Sequence, residues 1–525
     1  MSSSSLSGPD FRTFYQQDKL LKFFSLPSQA IQEALSLERT TVNRAALYTA
    51  LERYAKKLGA SKEVFAQLEL LRQPESRAVV TGQQAGLLLG PAYTLSKAVT
   101  AINLAKELST EDRPVVPIFW VASQDHDTEE IDSSYLLDFD ETLHYLRLPL
   151  PKDTPAARID LKGAWVNDLL NNLQEANFHE HFLPDVTQLV QEAASQSESF
   201  SDWFAGLLYR LLGQHGLIIL DPMQPDIAGL FKPLFVQELE EPTVSVTAVN
   251  DAAQRLKALG FEPQLGRGEA ATNLFIEEQT KEGYRRELLR FDDRGFFTER
   301  QTYSKDDLLD RLENDPRILT PAAGLRPISQ DFILPTAITV VGPGELRYFA
   351  QLRGVYEHHG VAMPLIWDRA TATVLEPPVA RIMDKFNLSL TDISRFDEAK
   401  AAELLELHGY AQAFNEALQV LNEQFQTLLE EIRGIDPTLE GTVQKGEAYF
   451  RRTLEILKSK SGNALADRDD TYTNQFDRLE KHLLPNGTPQ ERLISPFSFF
   501  LKFGIEPVIA AFLALPTKGD HAIRI

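Results

Sequence analysis

Residues 78–121 read AVVTGQQAGLLLGPAYTLSKAVTAINLAKELSTEDRPVVPIFWV, and this stretch decides the fold. Ala78-Val79-Val80 is a short apolar strand that runs into a glycine turn at Thr81-Gly82. Across residues 93–108 the apolar positions Leu95, Val99, Ile102 and Ala105 recur every three or four residues, the spacing of one helix face. Residues 115–121, VVPIFWV, are apolar throughout and of strand length. Strands covered on both faces read that way, as in parallel sheets. Strand, helix and strand with short links make a βαβ unit, which predicts an α/β core.

Working outward, residues 1–75 read as short helices, and GLIIL at 216–220 as another buried strand. The α/β pattern returns with a strand at 337–341, the turn Gly342-Pro343-Gly344, a helix over 345–359 and a strand near 363–367. Between these, residues 261–303 read as a small β-rich insertion with Asp-Arg-Gly at a turn. Further on, Leu407, Phe414, Leu418, Leu421, Phe425, Leu428 and Ile432 follow a heptad seam, which Gly434 to Pro437 breaks. A second seam runs through Phe450, Leu454 and Leu457, then Tyr472, Phe476, Leu479 and Leu483. The pattern predicts an antiparallel helical hairpin, acting either as a dimerisation or partner-binding arm or as a hairpin packed only on itself. The expected domains are a core over 1–375, the hairpin over 376–490, and a segment over 491–525 that returns to the core.

Lys and Arg number 53 and Asp and Glu 75, a formal net charge of −22. Bulk acidity argues against nucleic acid as the main partner, because that binding relies on Lys and Arg displacing counterions. It argues equally against an anionic membrane surface. There are no cysteines, which removes disulfides, thiolate nucleophiles and cysteine-ligated metals together. The N-terminal 20 residues show no basic-then-apolar leader, and the apolar stretch 504–515 is shorter than the ~20 residues a membrane span needs. A cytoplasmic protein is the expectation.

Three constellations carry chemistry. The first is Thr81-Gly82-Gln83-Gln84-Ala85-Gly86, followed by Tyr93 and Lys97. A glycine-rich link between strand and helix brings backbone amides close to a phosphate, although this one matches neither the dinucleotide nor the Walker pattern and serves equally well as a plain turn. The second is Trp120 and the loop Ser123-Gln124-Asp125-His126-Asp127, beyond the carboxyl end of an apolar strand, where open α/β sheets bind ligands. A histidine between carboxylates suits a general base or a ligand-positioning donor, with Asp125 or Asp127 raising its pKa; a helix-capping polar loop is the plainer alternative. One histidine gives no basis for a metal. The third is Arg326, Gln330 and Asp331 with Gly342, Gly344, Glu345, Tyr348 and Arg369. Here arginine offers a fork for carboxylate or phosphate, against the alternative of a tight turn opening a helix.

Taken together, TGQQAGLLLGPAYTLSKA (81–98), PIFWVASQDHDTEEI (117–131), LRPISQDFILPT (325–336), GPGELRYFAQLRGVYEHHGVAMPLIWDR (342–369) and ERLISPFSFFLKFG (491–504) resemble the bacillithiol synthase family over nearly the whole chain. The resemblance implies a Rossmann-like core related to class I aminoacyl-tRNA synthetases, with connecting insertions and a coiled coil that builds a homodimer. It implies a ligase that joins the carboxyl group of cysteine to the amine of glucosaminyl-malate, with ATP activating the carboxylate as an adenylate. One departure stands out. Class I synthetases carry an HxGH segment after the first strand, and the comparable stretch here, Leu88-Leu89-Gly90-Pro91, has no histidine. The competing reading is a catalytically weak nucleotide- or metabolite-binding scaffold whose hairpin recruits partners.

Overall fold

A computed structural model describes residues 10–178, 180–266, 268, 270–280, 283–395, 405–406, 409–466 and 470–525. The chain divides into two units, one of residues 1–372 and 491–521 and one of residues 373–490 and 522–525.

The first unit is built on a five-stranded sheet. Its strands lie in the order Leu365–Asp368, Thr336–Val341, Arg77–Gln83, Val115–Val121 and Ile218–Leu220, each parallel to its neighbours. The chain starts in the middle and builds outward on one side. It then returns to add Thr336–Val341 on the other side of the first strand. The strand order therefore reverses beside Arg77–Gln83, and such a reversal opens a crevice at the carboxyl ends of the strands. The α/β fold expected from the sequence, a Rossmann-like parallel sheet, is the fold observed.

The sheet is apolar for the reason its sequence suggests. All seven residues of Val115–Val121 and all six of Thr336–Val341 are buried. One face packs Val79, Val115, Ile338 and Leu365 against Ala101, Leu104 and Ala105 of the helix Tyr93–Leu108. Each fully buried Val, Leu or Ile contributes roughly 1.5–3 kcal/mol.

The glycine turn expected at Thr81-Gly82 is not there. The strand continues to Gln83, and Gly82 sits in register with Trp120. A Cβ at Gly82 would lie 2.7 Å from the Trp120 carbonyl oxygen, so glycine serves close strand approach and not a turn. The chain turns later, through Leu88, Leu89 and Gly90, all three with left-handed φ. That conformation is costly for leucine. It is held by hydrogen bonds from the Leu87 amide to the Ile131 carbonyl (2.9 Å) and from the Ser495 hydroxyl to the Leu88 carbonyl (2.8 Å). The expected single helix over 345–359 is two short ones, Pro343–Phe349 and Arg353–His358.

A second, antiparallel sheet orders Leu319–Pro321, Ala271–Thr280, Gly283–Asp292, Gly295–Phe297 and Thr302–Tyr303. Helices Pro496–Phe503 and Ile505–Leu513 belong to the same unit.

The second unit contains the helical pair Ala411–Ile435 and Glu440–Ala466, joined by a short turn. Phe425 meets Phe450 with ring centroids 5.8 Å apart, and Arg451 donates to Asn422 (2.7 Å). Leu407 of the expected seam lies outside the described residues, as does the side chain of Tyr472. The second seam does not run as one stripe. Phe476, Leu479 and Leu483 pack with Val379, Ile382, Met383 and Phe386, whereas Phe450 and Leu457 stay more than half exposed. Among the described residues no helix is long and apolar enough to cross a membrane.

Candidate active site

The crevice at the strand reversal is a cavity of about 560 Å³. Gly82, Gln83 and Gln84 line it from the first strand, and Trp120, Asp125 and His126 from the second strand and its loop. Arg326, Gln330, Gly342, Gly344, Glu345, Tyr348 and Arg369 line it from the third constellation, and Tyr93 and Lys97 from the helix between. The three constellations, far apart in sequence, thus meet. Six residues of these constellations fall outside the lining, Ala85 and Ser123 among them. The Thr81 hydroxyl is buried beneath the sheet and donates to the Val340 carbonyl (3.0 Å). Gly86 packs against Gly90 within the loop. Asp127 is exposed, at the start of a short 3-10 turn. Asp331 is buried, accepting from Tyr356 (2.5 Å) and Gln330 (3.0 Å).

Lys97 is the hub of one wall. Only 3% exposed, its ammonium donates to the Gly82 carbonyl (3.0 Å) and to Gln83 Oε1 (2.9 Å), and it pairs with Glu345 Oε2 at 2.6 Å. Its three hydrogens are therefore committed to the protein. Burial pulls the Lys97 pKa down, and Glu345 only partly offsets that. Burial opposes ionisation of Glu345, but Lys97 and the Gly342 amide outweigh it and hold the carboxyl below its usual range. Arg369 is committed too, through a bidentate pair with Glu491 (2.8 and 2.9 Å) and a bond to the Ala370 carbonyl.

Arg326 is different. Its guanidinium makes only long bonds, both 3.3 Å, to Gln330 Oε1 and the Tyr348 hydroxyl. It has no carboxylate partner among the described residues. Around the cavity Lys97, Arg286, Arg326, Arg369 and Arg492 face Asp125, Glu130 and Glu345. A chain of net charge −22 thus gathers an excess of cations here, and this suits an anionic ligand.

The opposite wall holds Asp125 and His126. Ser123, at the base of their loop, is buried and donates to Asp221, which also accepts from Ser201 (2.9 Å) and the Met223 amide (2.8 Å). Asp125 accepts from Gln84 (2.8 Å) and from the His126 backbone amide (2.9 Å). The sequence missed the residue that meets the imidazole. Arg286, on the strand Gly283–Asp292, lies 3.1 Å from His126 Nδ1. Carboxylates do not set the histidine's pKa. Burial lowers it, then Arg286 lowers it further, and Asp125, Asp153 and Asp127 do not restore it. Nothing local marks Arg286 in YRRELLRF, where alternating charges read as a solvated face. Gln124 of the second constellation lines the cavity too, and Glu130, Phe275 and Arg492 line it unforeseen.

The model "Bacillithiol biosynthesis BshC, N-terminal Rossmann-like domain" matches residues 10–370, and "Bacillithiol biosynthesis BshC, C-terminal coiled-coil domain" matches residues 372–525. The chain belongs to the BshC family. A curated relative from Thermus thermophilus, "Putative cysteine ligase BshC", is 38% identical over 92% of this chain and 95% of its own length. A relative of the same name from Salinibacter ruber is 34% identical over 85% of this chain and 82% of its own. The solved structure of Thermus thermophilus arginyl-tRNA synthetase aligns at 11% identity over 87% of this chain and 85% of that one, with a TM-score of 0.18.

Within this BshC-family chain, two backbone amides at the start of the helix that follows the Leu88–Pro91 segment are taken by carbonyls. The Ala92 amide donates to the Ile494 carbonyl (2.8 Å) and the Thr94 amide to the Pro91 carbonyl (3.0 Å). Among the described residues no group of three or more His, Asp or Glu is placed to hold a metal ion.

Proposed function

We propose that this chain is a cysteine ligase of bacillithiol biosynthesis, joining the carboxyl group of cysteine to the amine of glucosaminyl-malate in this cavity. Family membership supports the activity. The observation that carries the site is Arg326, a guanidinium without a carboxylate partner, in a cation-rich crevice at the strand reversal. A bidentate fork of this kind recognises a carboxylate. Both substrates carry carboxylates.

Amide formation from a carboxylate needs an activated acyl group, and ATP is the activating co-substrate in this reading. A cysteine carboxylate oxygen attacks the α-phosphorus and pyrophosphate leaves. The amine then attacks the acyl carbon, AMP leaves, and the amine proton passes to solvent. Lys97, whose three hydrogens are spent on protein acceptors, and Arg369, held in its bidentate pair with Glu491, keep the cavity wall in place. Arg326, and Arg492 from the C-terminal segment, supply the charge that meets a ligand. The reading places the enzyme in the cytoplasm as a homodimer through its coiled coil.

The test is purified protein with cysteine, glucosaminyl-malate and ATP, the thiol product being labelled and identified by mass. Bacillithiol should form, and omission of ATP should abolish it. No product under these conditions, with ligand binding retained, would instead favour the binding-scaffold reading. In an active preparation Arg326→Gln should raise KM for the substrate whose carboxylate it holds.

A further inference from the structure

An arginine aimed at a ring nitrogen dictates where that ring carries its proton. Arg286 Nη1 lies 3.1 Å from His126 Nδ1. A guanidinium has five donors and no acceptor, so Nδ1 must offer its lone pair, and the neutral ring must carry hydrogen on Nε2. We propose that Arg286 is a positioning residue that fixes His126 as a neutral Nε2–H donor facing the cavity, so that His126 hydrogen-bonds the ligand and does not serve as its base.

Arg286 is itself immobilised. Its Nε donates to the Thr320 hydroxyl (2.8 Å) and its Nη2 to the Pro321 carbonyl (2.9 Å), while its guanidinium stacks 4.0 Å over the Phe275 ring. Burial pulls its pKa down to about 10, which still leaves it charged at neutral pH. Protonating His126 at Nδ1 would set two donors face to face. That agrees with the lowered histidine pKa, against which Asp125, Asp153 and Asp127 act. His126 lines the cavity, and its Nε2 has no hydrogen-bond partner among the described residues. A neutral imidazole N–H is suited to an oxygen on which charge develops, as on the acyl oxygen when an amine adds to it.

The identity of that oxygen rests on the ligase reading, whereas the tautomer does not, and the experiment separates them. The ¹⁵N-labelled full chain is measured by long-range nitrogen–proton correlation over pH 6–8, with His126 assigned by its loss in His126→Gln. The expected result is one neutral form with hydrogen on Nε2. Arg286→Met should raise the His126 pKa. A proton found on Nδ1 in the wild type overturns the proposal, whatever the activity. In the ligase assay, a glutamine amide can replace an Nε2–H donor but cannot act as a base. His126→Ala should lower kcat by about 10²–10³-fold, the usual loss of one such donor. His126→Gln should stay within about tenfold of wild type. Equal loss in the Ala and Gln variants, or loss in neither, overturns the donor role. Failure of the wild type to make bacillithiol, with hydrogen still on Nε2, removes the ligase reading and leaves the tautomer standing.

Discussion

Replacing Lys97 with methionine tests how the cavity wall is held. Methionine keeps the apolar stem but removes the ammonium, which leaves the Gly82 carbonyl, Gln83 Oε1 and the Glu345 carboxylate without their shared donor. Breaking a buried ion pair by removing one partner costs about 3–5 kcal/mol. The Lys97 side chain is only 3% exposed, but that of Glu345 is 31% exposed, so water recovers part of the loss. The expected destabilisation is about 2–3 kcal/mol. Adding Glu345→Gln removes the stranded charge, while the new amide oxygen can still accept from the Gly342 amide. The double variant should therefore be more stable than the sum of the two single effects by at least ~1 kcal/mol. Guanidinium unfolding followed by tryptophan fluorescence reads this cleanly. The four tryptophans, Trp120, Trp165, Trp203 and Trp367, all belong to the first unit and report on it alone. A Lys97→Met variant within about 0.5 kcal/mol of wild type, the range of an unremarkable surface change, would refute the reasoning. So would strict additivity in the double variant.

Gly82→Ala should cost about 1–3 kcal/mol by the same assay, because its Cβ would meet the Trp120 carbonyl oxygen at 2.7 Å. Asp221, buried and pushed up to about 6, should give a pH-dependent stability. Its folded pKa exceeds the unfolded value near 3.8, so its stabilising contribution is full below that value and is lost as pH rises through 6. Relative to Asp221→Asn, wild type should lose about 1 kcal/mol between pH 5 and pH 7 in denaturant titrations, and a flat difference would exclude this. Leu418→Asp with Leu421→Asp should yield monomers or a collapsed hairpin; an unchanged mass by light scattering would remove the coiled-coil dimer.

The α/β core was legible because its strands are apolar from end to end, as in VVPIFWV, and a parallel sheet covered on both faces demands that. The candidate cavity was legible in outline because many of its lining residues cluster at strand ends. What escaped depends on distance. Gly82 looked like a turn because the carbonyl that excludes its side chain belongs to Trp120, on another strand. Arg286 escaped because its partner His126 lies 160 positions away and its own neighbours are charged. Asp127 was grouped with Asp125 by adjacency alone, yet one lines the cavity and the other faces outward. Phe476, Leu479 and Leu483 kept the heptad spacing but pack with Val379 and its neighbours, because spacing gives a helix its apolar side and not its partner.

The left-handed turn at Leu88 and Leu89 has a consequence for how the protein is made. Its carbonyl clasp comes from Ser495, 407 positions later, and the buried Arg369 waits for Glu491, 122 positions later. At roughly 5–20 residues per second, a ribosome needs on the order of 20–80 s to supply the Ser495 hydroxyl after Leu88 has been made. During that interval the leucine-rich turn has the Ile131 carbonyl to hold it but not the Ser495 hydroxyl. The crevice is therefore finished only once this distant segment has been translated. A chain stalled within the helical hairpin would expose Leu87, Leu88 and Leu89, apolar residues that are fully covered in the finished protein, as a handle for chaperones.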